Sequence, residues 1–406
     1  MEQRELIPHL FRMEFSKIIA VLCNYFGFKH IEIAEDIVSD TFLSAFETWT
    51  YKGLPENPKA WLYFVAKNKA KNYIQRERLF KEKIAPQIDQ TSSEVPEIDL
   101  SEKNISDSQL QMLFAVCDPI LSPESQISLA LRVLCGFGID EIASALLSQK
   151  ETINKRLLRA KEKLRTEKVK IKFPEEKEIQ NRLENVLTTL YLLFNEGYYS
   201  ESKNIILRED LCMEALRLLQ LLLDNESTDT PQTNALYALM CFQSSRFEAR
   251  KNKNGELILY HAQDETLWDQ KLISKGAYYI HKASHGDTLS KYHLEAGIAY
   301  WHTIKEDTKE KWKNILQLFD HLLQLEYSSI AALNRTYAFS KIYGNAKAII
   351  EAEKLDLDTN HFYYTLLGEL YKDINIGKSK ENFLQALKLA KTQPDKKTIQ
   401  NKIKGL

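Results

Sequence analysis

No apolar run in the 406 residues approaches the roughly 20 that cross a bilayer, so a helical membrane protein is excluded. Cysteine is scarce and scattered: Cys23, Cys117, Cys135, Cys212 and Cys241 form neither a CxxC pair nor a Cys/His cluster. That rules out a disulfide framework and a zinc site and leaves buried thiols as the reading. Glycine (13) and proline (10) are few, and alternating apolar and polar stretches are almost absent, which argues against a sheet. The opening MEQRELIPHLFRMEF carries acids and lacks a basic region followed by an apolar core and a small-residue cleavage site. No secretory signal is expected, and the chain is expected to be cytoplasmic. A nucleophile motif, a glycine-rich phosphate loop and a metal cluster are also missing, so an enzyme is not expected and no catalytic residue, cofactor or metal is assigned.

What the chain does have is helical periodicity throughout and charge that is unevenly distributed. The formal net charge is −1, yet Pro58–Lys83 holds eight bases against Glu77 and Glu82, and Lys150–Lys172 holds ten bases against three acids. Two basic patches on an acidic body fit a protein that touches nucleic acid at two places and a protein partner elsewhere. The first block reads as four helices: Pro8–Phe26, Ile31–Tyr51, one opened by the N-cap Asn57 with Pro58 at the first helical position, and its basic continuation to Phe80. Residues 84–107 lose periodicity and become acidic, as expected of a linker that is disordered in the free protein. Ser122 before Pro123 marks a further helix start, and Phe173-Pro174 closes the second block.

Within that second block, Gly138–Arg165 reads as a helix-turn-helix. Ile142, Ala143 and Leu146 give the first helix a packing stripe, and Ser148, Gln149 and Lys150 break it. In the second helix Ile153, Leu157, Leu158, Ala160 and Leu164 form the apolar face, while Lys155, Arg156, Arg159, Lys163 and Arg165 line much of the remainder. Thr152, Asn154 and Lys155 fall in its first turn or so, where base edges are reached, Arg159 and Lys163 suit phosphates, and Lys150 and Arg156 are assigned to the same DNA contact. A solvated basic face on an ordinary helix is the alternative.

Three segments, in order, resemble the extracytoplasmic-function sigma factors of the sigma-70 family. Ala34–Trp49 (AEDIVSDTFLSAFETW) is similar to the region-two signature, Asn57–Arg78 to the segment that opens and reads the minus-ten element, and Glu141–Arg165 to the region-four motif that reads the minus-thirty-five element. The rest resembles a group within that family bearing a large tetratricopeptide-like extension, through Leu190–Ser200, Arg208–Leu222, Ala238–Arg250 and Asn254–Gly276. Departures are a mixed lysine and glutamate run after region four and the replacement of many alanines. The resemblance implies an all-α chain of two small helical sigma domains, the second a helix-turn-helix, followed by a tetratricopeptide-like helical-hairpin domain. The expected divisions are 1–83, an acidic linker at 84–107, a region-four domain at 108–173 and an extension at 174–406.

By the same resemblance the partners are core RNA polymerase, through its beta-prime clamp helices and beta flap, and promoter DNA, with no membrane. The extension is implied to replace a separate anti-sigma partner through intramolecular contact with the sigma domains. Glu35, Asp36, Asp40 and Phe42 are assigned to polymerase binding. For the minus-ten element, Lys59, Lys67, Lys71 and Arg76 are assigned to phosphates and Asn57, Asn68 and Asn72 to flipped bases. Trp61, Phe64 and Val65 have a spacing assigned to core packing rather than stacking. The linker is either a nucleic-acid mimic in the polymerase cleft or a simple tether.

In the extension, Tyr364, Leu367, Gly368 and Tyr371 before Phe383 and Ala386 are similar to a tetratricopeptide pair, and Ala331–Ile342 with Asn345–Lys354 forms an earlier one. Tyr278, Tyr279, Tyr292, Tyr300 and Trp301 are read as core. His261, Asp264, Glu265, Trp268 and Asp269 form a polar cluster without helix-borne metal spacing, read as a structural or interface element. The one plausible hairpin turns at Asn254-Gly255. The function expected is transcription initiation controlled by the extension. A helical-repeat scaffold or ligand-sensing protein using its helix-turn-helix for protein contacts is the alternative.

Overall fold

The computed structural model describes residues 3–84, 97–146, 148–198, 208–250, 258, 260–286 and 288–406. Among them all regular structure is helical, with no strand, as the periodicity predicts. No helix among the described residues is long and apolar enough to cross a membrane. The chain divides into two compact units, 1–193 and 194–406.

The first unit contains α1 (Gln3–Phe26), α2 (Ile31–Lys52), α3 (Pro58–Ile84), α4 (Glu102–Val116), α5 (Pro123–Val133), α6 (Ile139–Ala145), α7 (Lys150–Thr166) and most of α8 (Glu176–Tyr198). α1 is its hub, packing on α2, α3 and α4. Phe15, Ile18, Ile19 and Leu22 of α1 are fully enclosed, and Gly53 at φ +78° ends α2 by donating its N–H to the Trp49 carbonyl. The expected break within the basic segment does not occur. α3 is one continuous helix of 27 residues because no glycine or proline interrupts it after Pro58, and Leu62, Ala66 and Ala70 keep one narrow stripe buried. The expected Asn57 cap is present, with Asn57 Oδ1 accepting from the Ala60 N–H at 3.0 Å.

The linker departs from its expected disorder over its last residues. Ile98 is buried, Asp99 accepts from the backbone and hydroxyl of Ser101, and Ser101 caps α4, which begins at Glu102 rather than after residue 107. Residues 85–96 lie outside the described ones. Ser122 caps α5 with Pro123 in its first turn, as predicted. In the helix-turn-helix, Glu141 accepts from the Gly138 N–H at 2.7 Å at the start of α6. Ile153, Leu157, Ala160 and Leu164 of α7 are buried, whereas Leu158, read as part of that face, is 63% exposed because it falls off the stripe the other four share. The expected boundary at 174 lies just before α8, which runs from the first unit into the second.

The second unit continues with α9 (Glu209–Leu223), α10 (Pro231–Ser244), α11 (Gln270–Ala283), α12 (Lys291–Trp301), α13 (Lys309–Leu325), α14 (Ser329–Tyr343), α15 (Asn345–Glu353), α16 (His361–Tyr371), α17 (Ile376–Leu389) and α18 (Gln393–Lys404). α10 is buried along Thr233–Ser244, enclosed by α9, α11 and α12. The C-terminal pair appears where it was read. α16 and α17 pack as a hairpin, Gly368 lies against the Phe383 ring so closely that a Cβ would sit 2.7 Å away, and the Ser379 hydroxyl donates to the Gly368 carbonyl. α14 and α15 occupy the earlier pair, joined at Gly344.

The aromatic stripe is only partly core: Tyr292 is buried and Trp301 packs on the α12–α13 cluster, but Tyr278 is 62% exposed and Tyr300 lies at the surface. The Asn254-Gly255 turn lies outside the described residues. The flanking residues form short 3₁₀ turns at Glu248–Arg250, Tyr260–Ala262 and Glu265–Leu267. All five cysteines are free and buried, in agreement with the sequence.

Phe15→Ala should destabilise the first unit by about 3–5 kcal/mol through the cavity it leaves. Phe64→Ala, at a ring 65% exposed on α3, should change stability by about 0.5 kcal/mol or less. Denaturant unfolding of the two variants reads the difference.

Candidate nucleic-acid and polymerase interface

Each helix assigned to DNA or polymerase divides its charged residues between two faces. α2 presents Asp36 and Asp40 to solvent, and the same face continues through Leu43 (55% exposed), Phe46 (58% exposed) and Glu47. The spacing from 36 through 40 and 43 to 47 is that of one helical side. Phe42, expected to face the polymerase, is instead core, 5% exposed and edge-on to Phe11 at 4.9 Å. Leu43 and Phe46 supply the exposed apolar surface in its place. The position of Leu43 three residues after Asp40 and four before Glu47, with Phe46 three residues further on, was the signal that would have found them.

Glu35 does not share the outer face with Asp36. It is buried, and its two oxygens take Arg132 Nε of α5 at 3.1 Å and Lys161 Nζ of α7 at 2.6 Å. The lysine and glutamate side chains are 11% and 12% exposed. Arg132 also donates to the Phe137 carbonyl and lies over the Phe15 ring, so its fork is fixed from three sides. One turn earlier on α2, Glu32 receives Arg165 Nη2 at 2.8 and 2.9 Å. α2 therefore holds the basic second helix of the helix-turn-helix by two carboxylates, one buried and one exposed.

On α3 the exposed side carries Phe64, Asn68, Asn72 and Arg76, with Lys71 half-buried beside them. Trp61 packs edge-on against Trp49 at 5.3 Å, as the core reading requires, but Phe64 faces solvent because the buried stripe runs through 62, 66 and 70. Lys67 binds Glu97 at 2.6 Å and Lys59 reaches Glu102 at 3.5 Å. The hydrogen bond from Lys67, reinforced by the charges of Lys67 and Lys71, holds the Glu97 carboxyl below the usual range. The acidic stretch after residue 96 thus occupies lysines assigned to phosphates. Asn57 is committed to its cap.

On α7, Lys150, Thr152, Asn154, Lys155, Arg159 and Lys163 are exposed. Lys150 pairs with Asp140 at 2.9 Å, and Lys163 donates to the Ile120 carbonyl. Arg156 departs from its assignment to the DNA-facing side. It is half-buried and turned to α5, where Nη1 donates to Ser128 Oγ at 3.3 Å. In the second unit, Asp264 and Asp269 of the polar cluster are helix caps, and Trp268 is buried. The side chain of His261 lies outside the described ones. No group of three His, Cys, Asp or Glu residues placed to hold a metal ion occurs among the described residues.

Residues 10–80, covering most of α1 to α3, match the family Sigma-70 region 2, and residues 182–284 match the Family of unknown function (DUF6596). The molecule is an all-helical protein with a sigma-70 region 2 domain at its N-terminal end and a DUF6596 domain after it. It is 32% identical over 354 residues to Uncharacterized protein R00370 of Rhizobium meliloti (strain 1021), which covers 86% of this chain and 83% of that one. The chain belongs to the same family as that protein. No solved structure matches it.

Glu35→Ala leaves two part-buried cations without their carboxylate and should cost about 2 kcal/mol after allowance for residual solvent. Hydrogen exchange along α7 should accelerate. Asp36→Ala, one residue on but exposed, should leave both stability and exchange unchanged.

Proposed function

We propose that this chain is a sigma factor that binds core RNA polymerase, directs it to promoters and is controlled by its C-terminal helical region. The observation that carries the reading is the Sigma-70 region 2 match over helices that expose an acidic and apolar ridge on α2 and an asparagine and basic stripe on α3. The ridge of Asp36, Asp40, Leu43 and Phe46 suits a basic coiled coil with apolar knobs, as on the polymerase clamp. The α3 stripe offers amides for base edges and cations for phosphates once the duplex opens, and exposed Phe64 extends it with a ring on which a base can stack. α7 offers Thr152, Asn154 and Lys155 to the minus-thirty-five bases, with Arg159 and Lys163 on phosphates. No covalent chemistry is involved.

Two elements about 25 base pairs apart are separated by about 85 Å of duplex. α7 cannot read the upstream element while Lys161 and Arg165 remain in hydrogen-bond contact with α2, which sits beside the downstream reader. In this reading the Glu32 and Glu35 contacts belong to the free protein and open when polymerase and promoter are engaged. Glu97 and Glu102 likewise leave Lys67 and Lys59 to make way for phosphates.

Run-off transcription with core polymerase and a promoter from the chain's own operon tests the proposal. No promoter-directed product from the folded protein overturns it. Leu43→Ala with Phe46→Ala should reduce polymerase binding about tenfold or more and leave upstream-duplex binding intact. Arg159→Ala should do the reverse and lower the salt slope of DNA binding by about one. A chain ending at Leu193 should differ in promoter-directed activity from the full chain, and equal activity removes the control assigned to the C-terminal region.

A further inference from the structure

The stretch that matches DUF6596 begins at residue 182, yet residues 182–193 fall within the first compact unit. They belong to α8, whose apolar side is buried through Leu183, Val186, Leu187 and Leu190. Arg182, Asn185 and Thr189, spaced by three and four residues, share the adjoining side of the same helix.

All three bind the end of α4 and the turn that leads into α5. Arg182 Nη2 donates to the Phe114 carbonyl at 2.7 Å and meets Asp118 Oδ2 at 3.1 Å. Asn185 donates its amide to the Cys117 carbonyl. The last carbonyls of a helix lack partners within it and favour a nearby cation, so the guanidinium and the amide satisfy the end of α4. Thr189 Oγ1 lies 2.7 Å from Gln126 Oε1 and 2.9 Å from the Asn185 carbonyl, and the Gln126 amide reaches the carbonyls of Asp118 and Leu121 at 3.0 and 3.2 Å.

The same turn, with α5, carries α7. Lys163 donates to the Ile120 carbonyl, and Arg156 Nη1 donates to Ser128 Oγ of α5 at 3.3 Å. Positions 156 and 163 lie two turns apart on one side of α7, so the two contacts together fix the rotation of the helix about its axis. Asp118 joins the two sets: Oδ1 takes the Ile120 N–H at 3.1 Å while Oδ2 takes Arg182. Arg182, Asp118, Ile120 and Lys163 thus form one chain of polar contacts from α8 to α7. Asp118, Gln126 and Thr189 are 7%, 3% and 1% exposed, which leaves little water to replace a partner that is removed.

We infer that Arg182, Asn185 and Thr189 are positioning residues for α7, an assignment that rests on the proposed role of that helix at the upstream element. They hold the turn between α4 and α5 and, through it, set the rotation at which α7 presents Thr152, Lys155 and Arg159 to the duplex. The residues that aim the DNA-reading helix therefore come from the DUF6596 stretch and not from residues 108–173 alone.

Hydrogen exchange on the free full chain reads the positioning without DNA or polymerase. Arg182→Met and Asn185→Ala should each accelerate exchange in α7 about fivefold or more and leave α3 as in the unaltered chain. Arg182→Lys, which keeps a charge for Asp118, should restore most of the protection, and Glu184→Ala, exposed on the same helix, should change neither. The complex with core polymerase is then given a promoter duplex from the chain's own operon and the same duplex with its upstream element scrambled. Arg182→Met should lower the preference for the native duplex about tenfold, with polymerase binding unchanged. A smaller folded fraction would weaken binding to both duplexes alike and leave that ratio intact. If Arg182→Met does not fold, Asn185→Ala carries the same expectations. Unaltered exchange in α7, or an unaltered preference in the folded variants, overturns the assignment. A wild-type complex that shows no preference overturns the upstream role of α7 itself, and the exchange result still decides whether α8 positions that helix.

Discussion

The arrangement of the first unit rests on the carboxylate of Glu35. Two cations from different helices meet on its two oxygens with little water around them, and an uncompensated charge there would be far more costly than the pair itself is stabilising. Among the described residues, α7 is therefore oriented relative to α2 by this ion pair. The exposed Glu32–Arg165 pair one turn away is the weaker companion, sensitive to salt. Under the proposed function, in which this joint separates, a contact built from charge suits it, because polyanionic DNA and water can both replace the partners that are lost.

Much of the fold was legible in the sequence. The 3.6-residue pattern and the caps at Asn57 and Ser122 mark helices that form where expected, and Gly368 with Phe383 marks the terminal hairpin. The failures are local and have physical causes. The segment from Asn57 to Phe80 reads as a helix and its continuation, but with neither glycine nor proline after Pro58 it forms the single helix α3. The linker was read from its acidity, yet Ile98 finds a buried place and the acids find lysines on α3.

At the candidate interface, residue type was readable and facing was not. Asp36 and Asp40 lie on the outer side of α2, but the adjacent Glu35 and Phe42 point inward because a residue's side depends on what packs against the helix. Arg156 illustrates the same limit: its charge suits phosphate, while Ser128 on a neighbouring helix decides its direction.

The five enclosed thiols bear on how this protein could respond to its surroundings. Burial pushes Cys117 and Cys241 up to about 12 and raises Cys23 and Cys212 as well, so the thiolate that reacts with peroxides is essentially unpopulated at these positions near neutral pH. Oxidation at these four sulfurs in the folded molecule is consequently disfavoured.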